Sequence, residues 1–210
     1  MFPALYAILD PSLSPGPLAE TAAIWADAGV RLIQLRNKHA SAAKLYAEAK
    51  DLLGHLAPRE VRLIVNDRPD IAAVAGAGGV HVGQGDLPVE EARRICQAPC
   101  WVGVSTHNLQ QVREAAGSSA DYIAVGPVFR TTTKENPDPI VGLDLVRAAR
   151  ELTRKPLVAI GGITVETAAE VFRAGADAVA VIRSLATAPD PVACVREFLH
   201  AAEKALSGRI

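Results

Sequence analysis

Eight short apolar runs, ALYAIL, VRLIQL, VRLIVN, GGVHV, CWVGVS, DYIAVG, PLVAIG and DAVAVI, recur along the chain at intervals of one strand plus one helix. Between most of them the apolar spacing and the density of good helix formers predict helices over 18–28, 42–53, 89–96, 109–116, 143–152, 165–174 and 191–206. The third connection, around 70–75, is short. A recurring join, AGVRLIQL, AGGVHVG and AGADAVAV, places Gly29, Gly78 and Gly175 as helix C-caps before a tight turn into the next strand. Near-continuous apolar strands joined by helices are buried on both faces, which is the pattern of a parallel sheet wrapped in helices. Eight such units in a chain of 210 residues predict a compact (β/α)8 TIM barrel, a single domain over 1–210. An open doubly wound sheet would show a Gly-rich G-x-G-x-x-G turn after the first strand, whereas this one runs into LDPSLSPGP.

Composition removes several classes of function. A chain of this size should bury roughly 70% of its unfolded surface, so it needs no disulfide to stabilise its core. No apolar run approaches the roughly 20 residues of a membrane span. The opening MFPALYAILD lacks the basic segment and cleavage site of a secretory signal, so a cytoplasmic location is expected. The net charge of -1 argues against a broad nucleic-acid surface, and any working cations must be concentrated locally. Cys96, Cys100 and Cys194 are odd in number and lack zinc-type pairing, which reads as ordinary reduced thiols. Of the scattered histidines, His81 and His107 read better as packing or supporting residues than as catalysts.

In a barrel of this kind the loops at the C-terminal strand ends build the active site. The polar clusters of this chain fall there. The second run ends in QLRNK, and the period of two along a strand aims Gln34, Arg36 and Lys38 the same way. The third ends in Asn66 and Asp67, the fourth in Gln84 and Asp86, the fifth in Ser105, and the sixth in Thr131, Thr133 and Lys134. Taken singly, Asn66 and Asp67 could be turn formers before Pro69, Ser105 a helix cap and the threonine run a solvated loop. Taken together, cations, carboxylates and hydroxyls at strand ends have no such explanation. Arg36, Lys38 and Lys134 suit a strongly anionic group, a phosphate or diphosphate. Asp67 and Asp86 are hard oxygen ligands suited to a magnesium ion that keeps several waters and binds phosphate oxygens. Gly161 and Gly162 open a turn into a helix, where backbone N–H groups can hold a second phosphate, and the loops after strands seven and eight are the usual phosphate site of this fold.

The motifs QLRNK, VNDRPDIA, GVHVGQGD, GVSTH, GPVFRTTTK and AIGGI together resemble the thiamine phosphate synthase family, in the family's order and from about Leu5 to about Leu185. The resemblance implies a barrel enzyme that joins a hydroxymethylpyrimidine diphosphate to a thiazole phosphate. Diphosphate leaves first, a pyrimidine-stabilised carbocation forms, and the thiazole nitrogen captures it. By motif it implies Gln34 as a contact to the pyrimidine ring, and Arg36, Lys38, Asn66, Ser105 and Lys134 as the diphosphate pocket. Of these, Arg36, Lys38, Ser105 and Lys134 are carried over as catalytic. It further implies Asp67 and Asp86 as ligands of Mg2+, and Thr131, Thr133 and the Gly161-Gly162 backbone as holders of the thiazole phosphate. The end of the eighth strand, Arg183 and Ser184, should border that site, with Arg183 either clamping the anion or pointing to solvent while backbone N–H groups hold it. The implied partners are small-molecule substrates rather than nucleic acid or membrane, and a homo-oligomer stays open.

The chain departs from the family pattern at two places. Arg183 stands where the last strand usually ends in serine, and Asn37 stands where an acidic residue is common. Asn37 has the opposite parity to Gln34 and Arg36, which predicts that it faces away from the site. The run of threonines also leaves Thr132 as a substitute for its neighbours. Two rivals are a thiazole tautomerase on the same barrel and a non-enzymatic sensor of a phosphate ligand. The first is expected to lack the metal aspartates and to offer a histidine where this chain reads GPVF, and the second has no need of paired aspartates beside three cations.

Overall fold

A computed structural model describes residues 2–14, 16–131 and 138–207. Strand and helix alternate along it: β1 (Leu5–Leu9), α1 (Leu18–Ala28), β2 (Leu32–Leu35), α2 (Ala42–Leu56), β3 (Arg62–Asn66), α3 (Pro69–Ala75), β4 (Gly79–Val82), α4 (Val89–Ile95) and β5 (Trp101–Thr106). The second half continues with α5 (Leu109–Gly117), β6 (Tyr122–Val125), α6 (Gly142–Leu152), β7 (Leu157–Ile160), α7 (Val165–Arg173), β8 (Ala178–Val181), α8 (Arg183–Ala186) and α9 (Pro191–Leu206). All neighbouring strands are parallel, and β8 returns to β1 to close an eight-stranded barrel. Closure leaves the sheet without an edge.

Each strand supplies two cores. Along β1, Leu5, Ala7 and Leu9 point outward to the helices, whereas Tyr6 and Ile8 point inward. The same period of two sends Leu32 and Ile64 into the lumen with Tyr122, Val158 and Ala180. Large side chains burying fully contribute about 1.5–3 kcal/mol each, and the outer layer, which includes Trp25, Leu52, Phe172 and Phe198, holds the helices against the barrel. The N-terminal end of the lumen is stoppered by Phe2 stacked on Trp101, with the Arg62 guanidinium 3.9 Å from the Trp101 ring centroid. The opposite, C-terminal end stays open.

Local chemistry sets the boundaries of several elements. Ser41, Asn108 and Asp190 cap α2, α5 and α9 by accepting from the backbone N–H three residues on. Gly29 caps α1 at φ 122. Two of the glycine assignments require correction. The left-handed cap of α3 is Gly76, at φ 77, because the helix ends two residues earlier than the AGG pattern implies. Gly78 instead makes room: a Cβ there would lie 2.6 Å from Arg62 Cγ. Gly175, at φ 125, sits one residue beyond the Ala174 cap of α7. The short helix α8 lies on a stretch read only as the end of the last strand.

Candidate active site

The open end of the barrel is a cavity of about 1140 Å³ lined from the C-terminal ends of its strands. Its floor is a chain of hydrogen bonds that crosses the lumen. Gln34 Nε2 on β2 donates to the Tyr6 hydroxyl on β1 at 2.7 Å, and that hydroxyl lies 2.9 Å from the Tyr122 hydroxyl on β6. Tyr122 in turn is 3.0 Å from His81 Nδ1 on β4, whose Nε2 is 2.9 Å from Ser105 Oγ on β5. Five strands thereby fix one another's polar side chains in a place where an unpaired group would cost about 1–3 kcal/mol. Burial pushes both tyrosine hydroxyls well above their ordinary pKa, so they remain neutral links. Gln34 is only 3% exposed, and its amide oxygen makes no hydrogen bond to another described residue.

Above this floor the end of β2 behaves as its alternation predicts. Arg36 continues the inward parity of Gln34; its backbone N–H donates to Leu9 O at 2.9 Å and its guanidinium pairs with Asp10. Asn37 turns outward, where its amide donates to both Glu48 carboxylate oxygens on α2, at 3.1 and 2.9 Å. Lys38 Nζ reaches across to Asp67 Oδ2 at 3.4 Å. Asp67 sits just past β3 in the left-handed region at φ 62, and its N–H donates to His81 O at 2.8 Å. A non-glycine residue held there marks backbone constraint at a site. Its carboxyl is pushed above the usual aspartate range, first by burial and then by the neighbouring Asp86, with Lys38 opposing. Asp86 Oδ2 accepts from Gly83 N–H at 2.8 Å, and Gln84 Nε2 donates to Ser105 O at 2.6 Å.

The far wall is built from the last three strands. Gly161 and Gly162 adopt φ 103 and 65 after β7, and a Cβ on Gly162 would lie 2.4 Å from Arg130 O. Only glycine fits this turn without displacing the loop that follows β6. Ser184, on α8, donates its hydroxyl to Ile163 O at 2.8 Å and so ties that turn to the end of β8. Arg183 is exposed at the rim.

The cavity thus gathers Gln34, Arg36, Lys38, Asn66, Asp67 and Asp86 with Ser105. It also brings in Thr131, Gly161, Gly162, Arg183 and Ser184 from the opposite wall. Thr132, Thr133 and Lys134 lie outside the described residues. Reading by motif missed Asp10, Tyr6 and Tyr122. Asp10 had a signal, since it follows the first apolar run directly and shares the parity of Tyr6 and Ile8. The tyrosines had a weaker one: Gly103, inside the fifth run, marks a close approach, and a Cβ there would lie 2.0 Å from Tyr122 Cζ.

The family model and the sequence relatives agree on one family. Residues 5–185 match the family model described as thiamine monophosphate synthase. The thiamine-phosphate synthase of Koribacter versatilis is 49% identical over 203 residues, covering 94% of this chain and 95% of that protein. That of Methanospirillum hungatei is 42% identical over 195 residues, covering 92% and 95%. Among solved structures, a thiamine phosphate pyrophosphorylase from Pyrococcus furiosus aligns with a TM-score of 0.87 at 32% identity, over 97% of this chain and 96% of that one.

Proposed function

The chain belongs to the thiamine monophosphate synthase family, and from that premise we propose that it joins a hydroxymethylpyrimidine diphosphate to a thiazole phosphate, releasing diphosphate and giving thiamine phosphate. The observation that carries the reading is the grouping of Arg36 and Lys38 with Asp67 and Asp86 on one side of a single cavity, opposite the glycine turn at Gly161-Gly162. One side suits a diphosphate with its metal and the other a monophosphate, so two anionic substrates can meet in one mouth.

The chemistry follows from where charge develops. Heterolysis of the bond between the pyrimidine methylene carbon and oxygen leaves its electron pair on the diphosphate and a cation on the carbon. The lone pair of the thiazole nitrogen then forms the new C–N bond, and no proton need move. The groups required are therefore donors and cations aimed at the leaving oxygens. Arg36 and Lys38 supply them, and Asn66, Ser105 and Lys134 complete the pocket. Gln34 gives its N–H to Tyr6, which leaves the amide oxygen to accept from the amino group of the pyrimidine. Gly161, Gly162, Thr131 and Thr133, bordered by Arg183 and Ser184, hold the thiazole phosphate.

The donor set fits magnesium. Two hard carboxylates, Asp67 and Asp86, stand side by side in the mouth with Lys38 beside them, and burial first and then Asp86 disfavour the Asp67 anion. That is the pattern of a site completed by water and substrate oxygens. When bound, the ion would neutralise charge on the diphosphate as a Lewis acid. Among the described residues no helix is long and apolar enough to cross a membrane, and both ligands are small molecules. The test is incubation of the purified protein with both substrates and magnesium. Formation of thiamine phosphate with diphosphate is expected; neither product, with both substrates recovered, would sink the reading.

A further inference from the structure

Arg36 is held from behind. Its guanidinium pairs with Asp10 just past the end of β1, while its other N–H groups make no hydrogen bond to a described residue. The barrel register places this pair, since Ile8 lies opposite Gln34 and two further positions bring Asp10 opposite Arg36. Asp10 is 7% exposed and does not line the cavity, whereas Arg36 does. The other oxygen of Asp10 is fixed as well: Oδ1 accepts from Ser12 N–H at 3.0 Å and from Ser12 Oγ at 2.6 Å. A carboxylate anchored by its own turn therefore takes one terminal nitrogen of the guanidinium, Nη1, and leaves the rest of the planar fork for an anion in the mouth.

We infer that Asp10 is a positioning residue for the diphosphate step, acting through Arg36 and braced by Ser12. The inference rests on the function proposed above and adds a residue that does not touch substrate. An arginine on a flexible stem otherwise loses rotamer freedom each time it meets an anion, and a misplacement of about 1 Å at a reacting group can cost about 100-fold in rate. Asp10→Asn is the informative change. The asparagine oxygen can still accept from Ser12, but an NH2 group now faces the guanidinium, donor against donor.

The experiment is a double-mutant cycle on the purified full chain, comparing wild type, Asp10→Asn, Arg36→Ala and the double variant, with thermal unfolding recorded for each. Asp10→Asn is expected to lower kcat by ~10- to 100-fold while thiazole phosphate KM stays near wild type. In the Arg36→Ala background it should cost less than ~2-fold more, because the residue it positions is gone. A wild-type kcat for Asp10→Asn, or losses that multiply in the double variant, overturns the inference. If the wild type makes no thiamine phosphate, the functional reading fails separately, and the same cycle is read from calorimetric binding of inorganic diphosphate with magnesium. Asp10→Asn must then weaken affinity ~10-fold only where Arg36 is present; equal affinities overturn the inference.

Discussion

Asp67 shows how a single residue can be poorly suited to the folded state and well suited to a task. It occupies the left-handed backbone region, and its carboxyl is disfavoured as an anion by burial and by Asp86. The disfavoured charge costs stability and is relieved by asparagine, which tolerates the same backbone region as aspartate and carries no charge. Asp67→Asn is therefore expected to raise the unfolding temperature slightly in chelator-containing buffer at neutral pH, and to lose most of its activation by magnesium. A lowered unfolding temperature would mean that the Lys38 pairing outweighs the like-charge contact. Residues of this kind were legible in the sequence because chemistry had to place a carboxylate at a strand end. Asp10 was not singled out, because its partner is 26 positions away and only the strand register brings the two together.

At the scale of elements, the alternation along β2 was legible to the side chain: Gln34 and Arg36 face inward and Asn37 outward to Glu48. The floor network was not, since each link joins a different strand and no local pattern connects Tyr6 to Tyr122 or His81 to Ser105. Its dependence on Gly103 gives a test. A methyl group on Gly103 would overlap the Tyr122 ring, which packs directly over it. Gly103→Ala is expected to destabilise the protein by ~1–3 kcal/mol, the usual cost of overpacking. It should also lower activity at temperatures where the chain stays folded, because Tyr122 must leave its contacts to Tyr6 and His81. Unfolding measured in denaturant, paired with kcat below the transition, checks both. Helix ends were less legible than helix existence, as Gly76 and Gly78 show, because two glycines two residues apart give two equally good caps and only the close approach of Gly78 to Arg62 distinguishes them.

At the scale of the molecule, the barrel separates stability from chemistry. The outer core holds the helices while the open mouth carries polar residues, and eight repeats of one apolar pattern were enough to foresee that arrangement. Helix α9 packs against α7 and α1 and buries Phe198 completely. Phe198→Ala is expected to cost ~3–5 kcal/mol, read as a lowered denaturant midpoint, with kcat unchanged where the variant remains folded; a large loss of kcat in folded protein would show that the shell and the mouth are coupled. The function of the mouth as a whole turns on whether the cations ending β2 serve the leaving group. Lys38 is suited to the question because it is half exposed and its removal leaves no cavity. Steady-state kinetics of Lys38→Ala, varying each substrate in turn, should show kcat lowered by ~100-fold, the scale of one preorganised electrostatic group, with thiazole phosphate KM within about twofold of wild type. An unchanged kcat with a raised thiazole phosphate KM would contradict that role and place Lys38 at the other anion.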